Sequence, residues 1–143
     1  MPVFQHSKRH ETLVDDTEKK LRDEFEALAE KAAKDGCKES LHKLGEMALS
    51  VEGIDASHKY MFSDFAMMLR KRNWLDLALS HAQRAVALAP DDAHTHFNVA
   101  RIHMQMGDGD KARRALEEVL SITPDMGYAK AMLDQLDGKD PGA

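Results

Sequence analysis

The chain has a single cysteine, Cys37, so it can form no intrachain disulfide and no paired-cysteine zinc site. That scarcity fits a reducing compartment. No apolar run approaches the ~18 residues a membrane span needs, and Met1–Lys20 lacks the apolar core of a signal peptide. The expectation is a cytoplasmic protein that engages no membrane. Positive charge is not in excess either: the 143 residues carry a formal net charge of -5. Nothing therefore favours nucleic acid, whose binders normally show a basic patch. Catalytic signatures are missing as well, with no G-x-S-x-G, Walker loop, G-x-G-x-x-G after a strand, or H-E-x-x-H. No long alternating run signals a strand, so an all-α chain is expected.

What is present is a pattern that occurs twice. Phe62, Phe65, Ala66, Leu69, Ala78, Ala82, Ala85 and Pro90 are followed, each 34 residues later, by His96, Val99, Ala100, His103, Ala112, Leu116, Val119 and Pro124. Within each copy the apolar positions fall on helical stripes. The spacing predicts helices over about 57–71 and 93–106, then over about 75–89 and 111–122. Their stripes include Met61, Phe65, Met68 and Leu69 in the first helix, and Val99, Ile102, His103 and Met106 in its counterpart. Alanines at 66, 78, 100 and 112 allow two helix backbones to approach; a bulky residue there would overpack at about 1–3 kcal/mol. Neither pair can bury its apolar face alone, so the copies must stack.

The period, and the order of bulky, small and proline positions, resemble the tetratricopeptide repeat, a helix–turn–helix unit. The first bulky position, normally Trp, holds Phe62 and His96, while the second-helix Ala and the closing Pro are intact. The resemblance implies an α-α superhelix of stacked antiparallel hairpins. It divides the chain into a flexible arm over 1–11, one helical domain over 12–138 and a disordered tail over 139–143. Within the domain lie a degenerate repeat at about 22–53, repeats at 59–92 and 93–126, and a capping helix at 126–137. The degenerate repeat lacks the closing Pro and is offset by three extra residues; a non-repeat hairpin capping the stack would bury the same faces. The first long helix is expected to start between Thr12 and Thr17. Asp125 is placed to cap the last helix.

Several other features are weighed on their residues. His94 and His96 are two apart and so face different ways on a helix. His96 and His103 are separated by about 10 Å along an axis, too far to share a metal. Cys37 and His42 lack a third partner. No metal, cofactor or catalytic residue is expected. The run Arg70-Lys71-Arg72 complements a helix C-terminus, or else meets an acidic partner. Trp74 covers the edge of its hairpin, or else makes an outside contact. The many methionines fill core, or line an adaptable binding surface.

Proteins similar to this one hold a peptide against the concave wall formed by the first helices of their repeats. By that resemblance the partner-binding residues are Tyr60, Asp64, Met67, His94, Phe97, Asn98, Arg101 and Tyr128. The Lys/Asn/Asn/Lys/Arg clamp by which some family members grip a chaperone's terminal carboxylate is matched at Asn98 alone; Ser63, Met67, Tyr128 and Met132 stand at the other clamp positions, so no such activity is expected. The implied function is a non-enzymatic protein–protein interaction module that binds a peptide or helix, with pairing to a second copy as a further mode. An alternative is a small chaperone similar to those of bacterial type III secretion, which share an N-terminal helical arm, about three repeats and acidic charge. An enzyme or metal binder is a third, less favoured reading.

Overall fold

The computed structural model describes the backbone of residues 2–48 and 54–138, and side chains over 16–44 and, Ala56 aside, over 54–138. The described residues form helices and no strand: α1 Pro2–Asp35, α2 Glu39–Ala48, α3 Lys59–Lys71, α4 Leu75–Leu88, α5 Ala93–Met106, α6 Gly109–Ile122 and α7 Gly127–Leu136, with a single 3-10 turn at Ala56–His58 before α3.

The 34-residue step is written into the backbone. Leaving α3, the Trp74 N–H bonds the Leu69 carbonyl and the Asn73 N–H bonds that of Arg70. Leaving α5, Asp108 and Gly107 repeat both bonds onto His103 and Met104. The pivot is left-handed in each case, with φ of 63° at Asn73 and 82° at Gly107, conformations that Gly and Asn tolerate best. Farther on, Ala89 to Ala85 and Asp92 to Ala89 recur as Thr123 to Val119 and Met126 to Thr123. The small and bulky positions match too: Ala66, Ala78, Ala82 and Ala85 are fully buried, as are Ala100, Ala112, Leu116 and Val119.

Two apolar clusters result. The first joins Leu21, Phe25, Ala29 and Ala32 of α1, Leu41 and Leu44 of α2, and the inner faces of α3 and α4, with Ile102 reaching in from α5. The second joins Ala93, Ala100, Leu116, Val119, Met126 and Ala129 under α7. An aromatic cage fixes the N-terminal pair on the first cluster. Phe25 stacks on Phe65 at 3.9 Å between centroids and 6° between planes. His81 of α4 stands edge-on to both rings, at 5.6 and 5.8 Å, with Phe62 at 6.5 Å. Trp74 is half-buried at the start of α4, between the Lys38 ammonium at 5.1 Å and the Arg72 guanidinium at 5.5 Å. Arg72 thus reaches the Trp74 ring, and the Ala29 carbonyl of α1, in addition to ending its own helix.

Four expectations need correction. Helix α1 runs from Pro2, so the backbone of 1–11, expected as a loose arm, is helical from its second residue. Pro is well suited to the first helical position, and the stretch behind it contains no further Pro or Gly until Gly36. Asp125 does not cap α7: Met126 holds that place and makes no side-chain cap. Met106, assigned to an inward stripe, is 37% exposed because α5 ends there and turns away. Buried histidines were not anticipated beyond His103, yet His58 and His81 are also enclosed. The tail over 139–143 lies outside the described residues.

Enclosure sets the charge state of His81. Burial, and next the Arg84 charge, push its pKa from 6.5 down to about 3. The unfolded chain takes up this proton near pH 6.5, whereas the folded chain resists until about pH 3. The stability His81 permits is therefore fully present above pH 6.5 and is lost as pH falls between those values, at about 1.4 kcal/mol per pH unit. Urea unfolding from pH 7 to pH 4 should show this slope. His81→Leu should flatten it, leaving a residue from His103, which burial also holds low; an unchanged slope would show that protonation acts elsewhere.

Candidate functional site

Side-chain contacts join α3, α5 and α7 into one surface. At its near end the Tyr60 hydroxyl donates to Oδ2 of Asp92 at 3.0 Å, and the Lys59 ammonium pairs with the same oxygen at 2.6 Å. The other oxygen of Asp92 accepts the His94 backbone N–H at 2.8 Å and caps α5. Burial alone would raise the Asp92 carboxyl; the hydrogen bonds from Lys59, His94 and Tyr60 outweigh it and hold the group below its usual range. Across the surface, Nδ1 of His94 lies 3.2 Å from the Tyr128 hydroxyl. Phe97 meets the Tyr128 ring edge-on at 4.7 Å, and the Arg101 guanidinium lies over the Phe97 ring at 6.0 Å. At the far end Arg70 of α3 reaches Gln105 of α5.

The eight residues assigned to partner binding are thus placed unevenly. His94, Phe97, Arg101 and Tyr128 touch in series, and Tyr60 joins them through Asp92. Asn98 sits half-buried on α5, one turn beyond His94. Asp64 is exposed but engaged, accepting Arg22 of α1 at 2.8 Å. Met67 packs inward against the first cluster. Sequence reasoning missed Asp92 and Lys59, and read Arg70 only as a member of the basic run at the end of its helix. Asp92 carried a legible signal, an Asp at the N-cap position of a strongly patterned helix; the others act through contacts between repeats.

The surface offers binding contacts and shows no reacting set. Among the described residues no three His, Cys, Asp or Glu side chains converge as metal ligands, and no helix is long and apolar enough to cross a membrane. A cleft of about 550 Å³ lies at the connectors beside the surface, sharing Lys59, Asp92 and His94 with it.

A family model for the tetratricopeptide repeat matches residues 73–136. The Homo sapiens aspartyl/asparaginyl beta-hydroxylase is 42% identical over 48 residues, which are 34% of this chain and only 6% of that protein. PcrH from Pseudomonas aeruginosa superposes with a TM-score of 0.58 at 18% identity, covering 86% of this chain and 93% of its own. The Yersinia enterocolitica type III secretion chaperone SycD, solved with a peptide of the translocator YopD, gives 0.55 at 16% identity, covering 80% and 91%. MamA gives 0.56 at 20% identity, covering 87% and 81%. At these identities the likeness establishes the fold.

Asp92 both caps α5 and orders Lys59 and Tyr60. Asp92→Ala should lower unfolding stability by about 1–2 kcal/mol, the range for a lost N-cap, and release the Tyr60 ring from its fixed position. Chemical denaturation with side-chain NMR of Tyr60 checks both; an unaltered Tyr60 environment would show that the hydroxyl bond does not position it.

Proposed function

Residues 73–136 belong to the tetratricopeptide repeat family, and from that premise we propose that the chain is a non-enzymatic protein–protein interaction module, holding a peptide or helix of its partner along the concave wall of α3, α5 and α7. The observation that carries this reading is where apolar surface is left uncovered. Among the described residues the exposed large hydrophobic side chains are Tyr60 at 48%, Tyr128 at 49% and Met106. The two tyrosines stand on this wall, each with its hydroxyl already held by a neighbour. Aromatic rings kept in place while exposed lose little freedom on binding, which favours them as contact residues. Asn98 and Arg101 supply hydrogen bonds between them. One free cysteine and no segment fit to cross a membrane among the described residues agree with a cytoplasmic setting.

A second reading, a secretion-type chaperone, has one observation in its favour. The chain and the chaperone SycD cover most of each other, 80% of this chain and 91% of that one. A chaperone of that kind would be captured with secreted substrates, whereas a general module would not.

Capture of the native partner on the full chain, followed by mapping of the bound segment, tests the proposal. Replacing Asn98 and Arg101 together with Ala should weaken that complex by more than about 1 kcal/mol, as for residues inside an interface, with little change in melting. Full affinity in the double variant, or collapse of folding with unchanged binding per folded molecule, would place the interface on another face.

A further inference from the structure

Two arginines meet on the wall with no acid between them. Arg70 is held in place: its Nη1 donates to Gln105 Oε1 at 3.0 Å, and the Gln105 amide donates to the Arg70 carbonyl and to Asn73 Oδ1, both at 3.2 Å. The Nε of Arg70 is buried and has no acceptor. Arg101 stands one turn before Gln105 on the same helix, half-buried. Burial and then the like charge of Arg70 lower its pKa from the ordinary value, yet a guanidinium remains protonated in proteins.

Three other cations do have acid partners. Arg22 has Glu18 and Asp64, Lys59 has Asp92, and Arg113 has Asp137. Among the described residues no carboxylate pairs with Arg70 or Arg101, although the chain has 25 acids to 20 Lys and Arg. Two partly buried like charges side by side repel, and partial burial weakens the screening that water would provide.

We propose that Arg70 and Arg101, together with Asn98, receive the carboxylate of an Asp or Glu side chain in the partner segment. The inference rests on the wall reading above and adds the partner's chemistry to it. Arg101 lies over Phe97 at 6.0 Å and is only half-buried, and the edge of a guanidinium matches the two oxygens of a carboxylate. Phe97 and Tyr128 on one flank give apolar contact to the residues around the acid. The acid is a side chain and not a chain end, because Ser63, Met67, Tyr128 and Met132 add no cation to the wall.

The test selects peptides on the full chain from a random phage library. Those recovered are resynthesised with amidated ends and measured by fluorescence anisotropy against wild type, Arg101→Gln and Phe97→Ala. The selected peptides should share an Asp or Glu. Its change to Asn or Gln should cost about tenfold in Kd on wild type and less than about twofold on Arg101→Gln, the signature of coupled charges. Added salt should weaken the wild-type complex. Arg101→Gln should melt no lower than wild type, since it relieves the repulsion. Peptides with no common acid, equal losses on both proteins, tighter binding of phosphoserine in place of the acid, loss of binding on amidation, or a marked fall in melting of Arg101→Gln would each overturn the inference. Peptides that depend on Phe97 but ignore the acid would leave the wall reading standing and remove this one. Peptides indifferent to both variants, or a library that yields none, would remove both.

Discussion

Close approach of helix backbones at alanine is the constraint on which the structure depends. Ala66 on α3 and Ala78 on α4, like Ala100 on α5 and Ala112 on α6, have no exposed surface in helices that pack pairwise. Because the same small residues recur after 34 positions, the same crossing recurs, and the turn and connector hydrogen bonds recur with it. A superhelix follows from repetition of one local geometry, with each hairpin covering the apolar flank of the next.

The wall inherits its order from that repetition. Equivalent positions on α3, α5 and α7 come to lie beside one another, so short side-chain links bridge neighbouring helices: Tyr60 to Asp92, His94 to Tyr128, Arg70 to Gln105. Each link fixes a side chain without covering it. Among the described residues the wall also keeps two arginines, Arg70 and Arg101, with no paired carboxylate, while Arg22, Lys59 and Arg113 have one. Such local conflict is what a surface selected for a partner, rather than for stability alone, is expected to contain.

The legibility of the fold in the sequence followed the same physics. Alanine, proline and bulky positions at a fixed period are local in sequence, and they marked α5 to its observed bounds, Ala93–Met106. The buried stripe of α1, from Leu21 to Ala32, was equally plain from its spacing. What escaped was tertiary or weakly signalled. His81 reads as a polar residue on α4 until Phe25 and Phe65 arrive from two other helices. Gln105 reads as surface until Arg70 reaches across from the preceding repeat. The start of α1 was missed because its first turns carry no apolar stripe to announce them. In the candidate site, position on the repeat frame located the four residues that touch in series, but it could not foresee that Met67 packs inward or that Arg22 engages Asp64.

Equilibrium unfolding of Ala112→Leu probes the governing constraint most directly, because that residue has no exposed surface and belongs to the second helix of the second repeat. The account predicts a loss of about 1–3 kcal/mol from overpacking, as α5 and α6 are forced apart and Phe97 is drawn away from Tyr128. Undiminished stability, with the α5–α6 spacing unchanged, would contradict it.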